Sequence, residues 1–302
     1  MSISVIVTTS AGREANLAAC LTQIAYQSQP ASQILICDDG SQGAAEVCQE
    51  LKTRFNLPLE HLWRKQDFCV SRSRNLGVAA ARHETLVFLD GDNLLNRQGL
   101  AAYQEYLSAF PGHVLYGYFG YQLDYISQSY YYPERDVWWC DRRFDSYAPS
   151  GLVPASNMIR FPHEWAWSGN FALHKHQYLA AGGFDEGYRG WGGEDLDFAW
   201  RLLQSGPQIH FFLDAWAEQL THDRQESFHC LPANERGKSY QHQYIEANYA
   251  VQVLYSAAGW HDLKRGIAHY LKTERGSPER PRSQRSAGPL PSDSNAKHGS
   301  EP

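Results

Sequence analysis

The sequence predicts an α/β fold in which helices cover both faces of a mostly parallel sheet. Three observations support this prediction. Short apolar runs with the composition of buried strands recur through the first part of the chain. Each run is followed by a segment whose apolar residues recur at helical spacing. Two of the runs end in acidic turns that contain glycine, at the place where ligands bind in sheets of this kind.

The individual elements follow from the local patterns in chain order. In the first half we expect strands at residues 3–8, 33–37, 59–63 and 85–89, and helices near residues 17–24, 44–55, 71–82 and 100–110. In the second half we expect strands at residues 168–173 and 209–213, and helices at residues 176–181, 194–204 and 240–271. Residues 114–167 are rich in aromatic side chains and are expected to be part strand and part long loop. From about residue 276 the chain consists of Ser, Pro, Gly and charge, which predicts disorder.

Composition excludes several classes of protein. The 302 residues carry a net charge of −6 without a long basic run, so binding of nucleic acid through phosphate contacts is not expected. The six cysteines are scattered and none has CxxC spacing, which argues against a thiolate zinc site and suggests reduced thiols in a cytosol. Residues 2–9 are apolar but short and lack a basic flank, so we expect a strand there rather than a signal peptide. We therefore expect a cytoplasmic protein, with peripheral membrane association and oligomeric state left open.

Residues 190–197 combine three glycines, one tryptophan and three carboxylates. The glycines permit positive φ, and the apolar residues that follow place the carboxylates in the first turn of a helix. One explanation is simple: acidic side chains in a first turn interact favourably with the exposed N–H groups there. The other is a catalytic carboxylate beside a tight loop that presses the indole of Trp191 against a sugar.

Asp90 and Asp92 follow the fourth predicted strand and flank Gly91. Residues two apart in extended backbone point to the same side, so the two carboxylates would repel each other unless a cation lies between them. Oxygen ligands of this kind suit Mg²⁺ or Mn²⁺ bridging to phosphate oxygens, although a solvated turn would explain the pattern equally well. His222 follows the last predicted core strand and is a candidate third ligand, since imidazole is a normal ligand for Mn²⁺.

Asp38 and Asp39 end the second predicted strand at the same edge of the sheet. Either could accept a hydrogen bond from the imide N–H of uracil, with Thr8 near the same base, or they could form an Asx turn with Gly40. At the start of the third crossover helix, three further side chains could meet a nucleotide or phosphate, or lie on the surface: Arg72, Arg74 and Asn75.

Together these residues resemble the family 2 glycosyltransferases of the GT-A fold. The resemblance rests on residues 5–8 (VIVT), 38–41 (DDGS), 73–77 (SRNLG) and 88–92 (FLDGD). The second half is similar to the C-terminal part of inverting β-galactosyltransferases, through residues 168–173 (SGNFAL), 182–184 (GGF) and 190–195 (GWGGED). The likeness covers about residues 3–224. In one departure, Gly91 stands where serine or alanine is more usual.

The resemblance implies an inverting, metal-dependent transfer of a hexose or N-acetylhexosamine from a UDP-sugar to a saccharide or glycoconjugate hydroxyl. Asp195 would be the general base. Mn²⁺ (or Mg²⁺) would be held by Asp92 and His222 with Asp90, which could instead contact the ribose, and Asp39 would hold uracil. The residues placed at the transferred sugar and the acceptor are Glu194, Trp191, Gly192, Gly193, Gly169 and Asn170.

The implied organisation has four parts. Residues 1–112 would form the nucleotide-sugar-binding half of the domain, and residues 113–235 the acceptor-binding and catalytic half. A C-terminal helical region at residues 236–275 and a disordered tail at residues 276–302 would follow. Acceptor binding is placed in the aromatic stretch of residues 116–167, although most of those rings are expected to fill the core.

Two other functions remain open on the sequence. A sugar-phosphate nucleotidyltransferase also joins a metal, a nucleotide and an α/β sheet, but the expected glycine-rich basic loop is matched only faintly by residues 10–13. A non-catalytic saccharide-binding module has no chemical need for Asp195 together with the acidic pair and His222. A nicotinamide-dependent dehydrogenase is disfavoured because no GxGxxG follows the first strand.

Overall fold

A computed structural model describes residues 2–121, 147–148, 151–152, 161–190, 192–220, 241 and 245–254 of the chain. In this part of the chain one nine-stranded sheet organises the fold. Its strand order is β11 (Val253–Leu254), β10 (Gln208–Gln219), β6 (His113–Tyr121), β9 (Asn170–His174), β4 (Thr85–Asp90), β1 (Ile3–Ser10), β2 (Gln33–Asp39) and β3 (Leu59–Arg64), and β5 (Asn93–Leu95) pairs with β10 outside this path. The described helices contain no span long and apolar enough to cross a lipid bilayer.

Most strands and helices lie close to where the sequence predicts them, but β5 was not predicted and β11 lies within an expected helix. The strands are β1 Ile3–Ser10, β2 Gln33–Asp39, β3 Leu59–Arg64, β4 Thr85–Asp90, β5 Asn93–Leu95, β6 His113–Tyr121, β7 Tyr147–Ala148, β8 Gly151–Leu152, β9 Asn170–His174, β10 Gln208–Gln219 and β11 Val253–Leu254. The helices are α1 Glu14–Ala25, α2 Ala44–Phe55, α3 Val70–Ala80, α4 Gly99–Ala109, α5 Lys175–Ala180 and α6 Glu194–Ser205, with a 3₁₀ turn at Pro162–Trp165.

The parallel strands β3, β2, β1 and β4 end at a common edge. In the register of β1, Thr8 pairs with Asp90 of β4, and Ser10 pairs with Asp39 of β2. The acidic turns predicted from the sequence therefore lie side by side at the carboxyl ends of neighbouring strands. This arrangement confirms the α/β fold with a mostly parallel sheet.

Strand β9 joins the two halves of the sheet because it runs antiparallel to both β4 and β6. Two hydrophobic clusters cover the two faces, one including Phe88, Phe171 and Phe198, the other including Leu21 and Leu100. The four described cysteines, Cys20, Cys37, Cys48 and Cys69, are free and buried. Because β6 and β9 belong to the same sheet as β1–β4, the sheet continues across the predicted boundary between the two halves near residue 112. That division of the domain stays a prediction.

The structure corrects the expected C-terminal helix over its described residues. Residues 245–250 have no helix, and β11 pairs in parallel with Phe211 and Phe212 of β10. Tyr249 secures this segment, since the backbone N–H of Ile209 donates to its hydroxyl over 2.6 Å. Pairing with an open strand edge outweighs the helical spacing, because it satisfies backbone groups and buries Val251 in the same step.

Candidate active site

The first part of the site is the junction of β1 and β4. The Thr8 hydroxyl donates to Asp90 Oδ1 over 2.9 Å, and the Gly91 N–H donates to the Thr8 carbonyl over 2.8 Å. A Cβ added at Gly91 would lie 2.9 Å from that carbonyl oxygen. Glycine therefore occupies this turn because β1 approaches its backbone closely, and both flanking carboxylates keep their places.

Arg74 connects this junction to the start of α6. Its guanidinium donates to Asp90 Oδ1 and to Glu194 Oε1, each over 3.2 Å, although Glu194 lies 120 residues further along the chain. The side chain is 4% exposed, and its guanidinium lies over the Phe184 ring at 4.8 Å. The acidic turn after β4 and the acidic first turn of α6 therefore meet at one buried cation.

The glycines that precede α6, Gly190, Gly192 and Gly193, are here called the glycine loop. The three carboxylates that follow them lie in the first turn of α6, as the sequence predicts. Gly192 and Gly193 have φ of 95° and 97°, and Gly193 caps the helix in the left-handed region. Glu194 is buried against Arg74, whereas Asp195 is partly exposed and its Oδ1 accepts the Leu196 N–H over 2.9 Å. The two adjacent carboxylates thus have different surroundings.

Although part of the Asp195 residue is exposed, the desolvation of its carboxyl by the surrounding protein raises its pKa to about 7; repulsion from Glu194 adds to the shift, while the Arg74 guanidinium opposes it. Burial also raises the pKa of Asp90, with Arg74 opposing the shift and Asp92 reinforcing it. A carboxylate that titrates near neutral pH is suited to accept a proton from a hydroxyl. Among the predicted acids of the site, Asp195 best meets this requirement.

Asp92 lies where β5 and β10 meet. Gln219 Nε2 donates to Asp92 Oδ2 over 3.2 Å, Arg13 lies 3.8 Å from the same oxygen, and the Leu220 N–H donates to the Asp92 carbonyl over 2.8 Å. His222, two positions after Leu220, lies outside the described residues. Within the described part of the chain, no group of three or more His, Cys, Asp or Glu side chains is arranged to hold a metal ion.

The two aspartates that end β2 differ in their surroundings. Asp38 is fully buried, and its oxygens bond to the Ser41 N–H and to His61 Nε2, each at 2.9 Å. Asp38 thus stabilises the turn after β2, and its predicted nucleotide contact stays a prediction. Asp39 accepts the Asp67 N–H over 3.0 Å and lies 3.1 Å from Arg64, and burial raises its pKa.

Two of the predicted nucleotide-binding residues on α3 contact the protein itself. Arg72 Nε lies 2.9 Å from Glu186 Oε2, and Asn75 Nδ2 donates to the Phe184 carbonyl over 2.9 Å. Both side chains therefore hold the segment before the glycine loop. Among the three polar residues predicted on this helix, only Arg74 contacts the carboxylates of Asp90 and Glu194.

The predicted substrate-side residues lie in different environments. Asn170 is fully buried and bonds to the Tyr103 hydroxyl and to the carbonyls of Tyr118 and Ala215. These bonds give Asn170 a structural role, and its predicted substrate contact stays a prediction. The Gly169 carbonyl accepts the Asp90 N–H over 3.0 Å, so it supports the acidic turn through the backbone. Trp191 lies outside the described residues.

The aromatic stretch is described only in part, and two of its rings are in the core. Tyr116 and Tyr118 are fully buried. Trp165 and Trp167 are partly exposed, with ring centroids 5.9 Å apart. Acceptor binding by this stretch therefore stays a prediction.

Three residues of the site were missed at the level of sequence: Arg64, Glu186 and Gln219. Each contacts a partner that is not its neighbour in sequence, as in the 127-residue separation between Gln219 and Asp92. No local pattern distinguishes such a residue from an ordinary polar surface residue. The Glu186 position, three residues after the glycine pair at 182–183, is a weak signal at best.

Comparison with known families gives two consecutive matches. The family model described as "Glycosyl transferase family 2" matches residues 4–153, and one described as "N-terminal domain of galactosyltransferase" matches residues 152–224. Among curated proteins, the chain is 26% identical over 245 residues to validoxylamine A glucosyltransferase of Streptomyces hygroscopicus subsp. limoneus, covering 74% of this chain and 52% of that protein. It is 26% identical over 201 residues to chondroitin synthase of Escherichia coli, covering 58% and 28%. The chain thus spans about half or less of these relatives.

Solved structures with the same fold include three glycosyltransferase-related proteins at low identity. S. aureus TarS 1-349 in complex with UDP-GlcNAc gives a TM-score of 0.56 at 18% identity, covering 74% of this chain and 60% of that one. The mannosyltransferase PcManGT of Pyrobaculum calidifontis, with GDP-Man and Mn²⁺, gives 0.52 at 17%, covering 74% and 57%. GalNAc-T7 with UDP, GalNAc and Mn²⁺ gives 0.53 at 14%, covering 74% and 44%. These similarities support the GT-A type of fold.

Proposed function

The chain belongs to glycosyl transferase family 2 and is a glycosyltransferase, and on this premise we propose its reaction. It transfers a hexose or N-acetylhexosamine from a UDP-sugar to a hydroxyl of a saccharide or glycoconjugate, with inversion at the anomeric carbon. The observation that carries the proposal is the bridge from Asp90 through Arg74 to Glu194. This bridge joins the carboxyl ends of β1, β2 and β4, here called the donor edge, to the helix that bears Asp195.

The donor side is assigned to the carboxyl ends of β1, β2 and β4. Asp39 and Thr8 are the candidate contacts for uracil, and Asp90 the candidate contact for the ribose or the metal. Their adjacency in the sheet register supports this assignment, since one nucleoside could meet all three. Asp38, the other predicted nucleotide contact, stabilises the turn through its bonds to Ser41 and His61.

Mn²⁺, or Mg²⁺ in its place, is the proposed cofactor. The carboxylates of Asp90 and Asp92 are hard oxygen donors, which fits such an ion, and His222 is the proposed third ligand. The hydrogen bond from the Leu220 N–H to the Asp92 carbonyl supports that choice, because it fixes the chain two positions before His222. The ion would supply positive charge against the charge that develops on the departing UDP.

Asp195 is the proposed general base. As the acceptor oxygen bonds to the anomeric carbon, its proton passes to the Asp195 carboxylate and the bond from that carbon to the UDP oxygen breaks. A single displacement of this kind inverts the configuration. A base of pKa near 7 is largely ionised just above neutral pH and still a useful proton acceptor, which contributes about 10²–10⁴ in rate. Trp191 and the backbone at Gly192 and Gly193 are assigned to the sugar.

A screen of nucleotide-sugars tests the donor class. The purified protein is incubated with Mn²⁺ and each of several UDP-sugars, with GDP-Man as the comparison donor, and hydrolysis or transfer is followed by release of the nucleotide. Release of UDP from UDP-hexoses is the expected result. Consumption of a sugar phosphate plus UTP, with no reaction of any UDP-sugar, would instead identify a nucleotidyltransferase.

The variant Asp195→Asn tests the base with a matched control. We expect transfer to fall by about 10²–10⁴ while UDP-sugar binding is nearly unchanged. The control is Asp197→Asn, which alters another carboxylate in the first turn of α6, one that is bonded to Arg201 over 2.7 Å. Normal turnover by Asp195→Asn, or an equal loss in Asp197→Asn, would remove Asp195 from the mechanism.

A further inference from the structure

The segment of residues 182–190, here called the stem segment, leads directly into the glycine loop and is held by α3. Asn75 Nδ2 donates to the Phe184 carbonyl over 2.9 Å and to Glu186 Oε1 over 3.0 Å, and Asn75 Oδ1 accepts the Phe184 N–H over 3.0 Å. One side chain thus contacts both the backbone and a carboxylate of the stem segment.

A charged pair adds a second connection. Arg72 Nε lies 2.9 Å from Glu186 Oε2, and the same guanidinium also contacts Asp67. The Asn75 amide and the Arg72 guanidinium hold the pKa of Glu186 below its ordinary value, so Glu186 is ionised at neutral pH. Both side chains of the pair are about two-fifths exposed, at 40% and 41%, which leaves the contact sensitive to salt.

The third connection runs from the stem segment to the donor edge. The Gly190 N–H donates to the Phe68 carbonyl over 2.8 Å, and Phe68 holds a positive φ of 56° that is uncommon for an aromatic residue. One residue earlier, the Asp67 N–H donates to Asp39 Oδ1 over 3.0 Å. Residues 67 and 68 therefore touch a candidate uracil contact on one side and the end of the stem segment on the other.

We infer that Arg72 and Glu186 are positioning residues, which fix the stem segment against residues 67–68 and thereby set the position of Asp195 relative to the donor. This role rests on the proposed function, because it gives the pair a part in the same transfer reaction. Neither side chain needs to contact substrate. The pair acts by keeping the glycine loop anchored at its start, while Arg74 and Glu194 anchor the helix at its end.

Tryptic cleavage after Arg189 measures the anchoring directly, since Arg189 is exposed within the stem segment. Arg72→Gln and Glu186→Gln should each raise the initial rate of this cleavage about two- to fivefold, the range expected from loss of an exposed ion pair. The double variant should cleave no faster than either single variant. Added NaCl should accelerate cleavage in the wild type and have little effect in the variants.

The control is Arg82→Gln, which removes another exposed ion pair, with Glu60 at 2.8 Å, far from the stem segment in sequence. It should leave cleavage after Arg189 unchanged. Unchanged cleavage in both pair variants, or equal acceleration in the control, would overturn the inference.

Kinetics then distinguish a positioning role from a merely structural one. In a wild type that transfers sugar, the pair variants should lower kcat about two- to fivefold with little change in KM for the donor. Faster cleavage together with an unaltered kcat would refute the positioning role. A wild type without transferase activity refutes the proposed function instead, while the cleavage rates still show whether the pair anchors the stem segment.

Discussion

Replacing Arg74 by glutamine should destabilise the protein far more than loss of an ordinary ion pair. The side chain is 4% exposed and lies 3.2 Å from both Asp90 and Glu194. Removing one partner of a buried ion pair costs about 3–5 kcal/mol. Here most of that cost falls on Glu194, which is 10% exposed and keeps its desolvation penalty, whereas Asp90 is 34% exposed. Since a typical domain is stable by about 5–15 kcal/mol, this loss should be large in any unfolding measurement.

The loss should also depend on pH in a defined direction. Arg74 opposes the upward pKa shifts of Asp90 and Asp195, so without it both carboxyls bind protons at higher pH in the folded state. Protonation removes the unpaired buried charge. The destabilisation should therefore be largest near about pH 8 and shrink toward about pH 5.5, as Asp195 titrates through its raised folded pKa.

Urea unfolding followed by circular dichroism at both pH values measures the effect. Arg82→Gln serves as the control, because its pair with Glu60 is exposed and should contribute about 0–1 kcal/mol at either pH. A loss in Arg74→Gln no larger than that of the control, or one that does not vary with pH, would refute the idea that Arg74 is a buried bridge between two carboxylates.

Three further predictions follow from the same structure. Asp92→Ala should abolish the Mn²⁺-dependent part of UDP binding in calorimetry, and equal affinities with and without Mn²⁺ would exclude Asp92 from the metal site. The kcat/KM of transfer should rise with pH through about 7, as Asp195 loses its proton, and a flat profile would contradict its role as base. Burial, with nearby His113, lowers the pKa of His210 to about 4. The unfolded chain therefore binds a proton that the folded protein does not, and the free energy of unfolding should fall by up to about 3 kcal/mol between about pH 6.5 and pH 4. An unfolding free energy without this decline, or an equal decline in His210→Phe, would count against the prediction.

Much of the fold could be predicted because its signals are local. The β1 and β4 runs are rich in apolar β-branched and aromatic residues, and the bounds of α2, Ala44–Phe55, agree with its predicted range. The bounds of strands in the second half are harder to predict. The sequence predicts a strand at residues 209–213, but β10 continues to Gln219, because its apolar run gives no sign of where pairing ends. The helix expected near residue 250 failed for a related reason: an available strand edge, invisible in sequence, decided the conformation of residues 251–254.

The candidate site divides in the same way. Asp90, Asp92, Glu194 and Asp195 stand out by composition and by their position after a strand or before a helix. Their convergence does not follow from any local pattern, since the contact between Arg74 and Glu194 spans 120 residues. Asp38 and Asp39 are adjacent and chemically identical, yet the structure gives them different partners: Asp38 bonds to Ser41 and His61, whereas Asp39 bonds to Asp67.

By itself the sequence determined the class of fold, the glycine-dependent loop before α6 and the identity of the carboxylates, because each depends on residue type and on neighbours a few positions away. Tertiary structure alone decided which charges are paired and which groups Asp38 and Asp39 each contact. It also decided that Arg72 and Asn75 hold the stem segment, while Arg74 joins the two acidic turns. The physical reason is that burial and Coulomb interactions depend on distances in space, which the order of residues along the chain does not give.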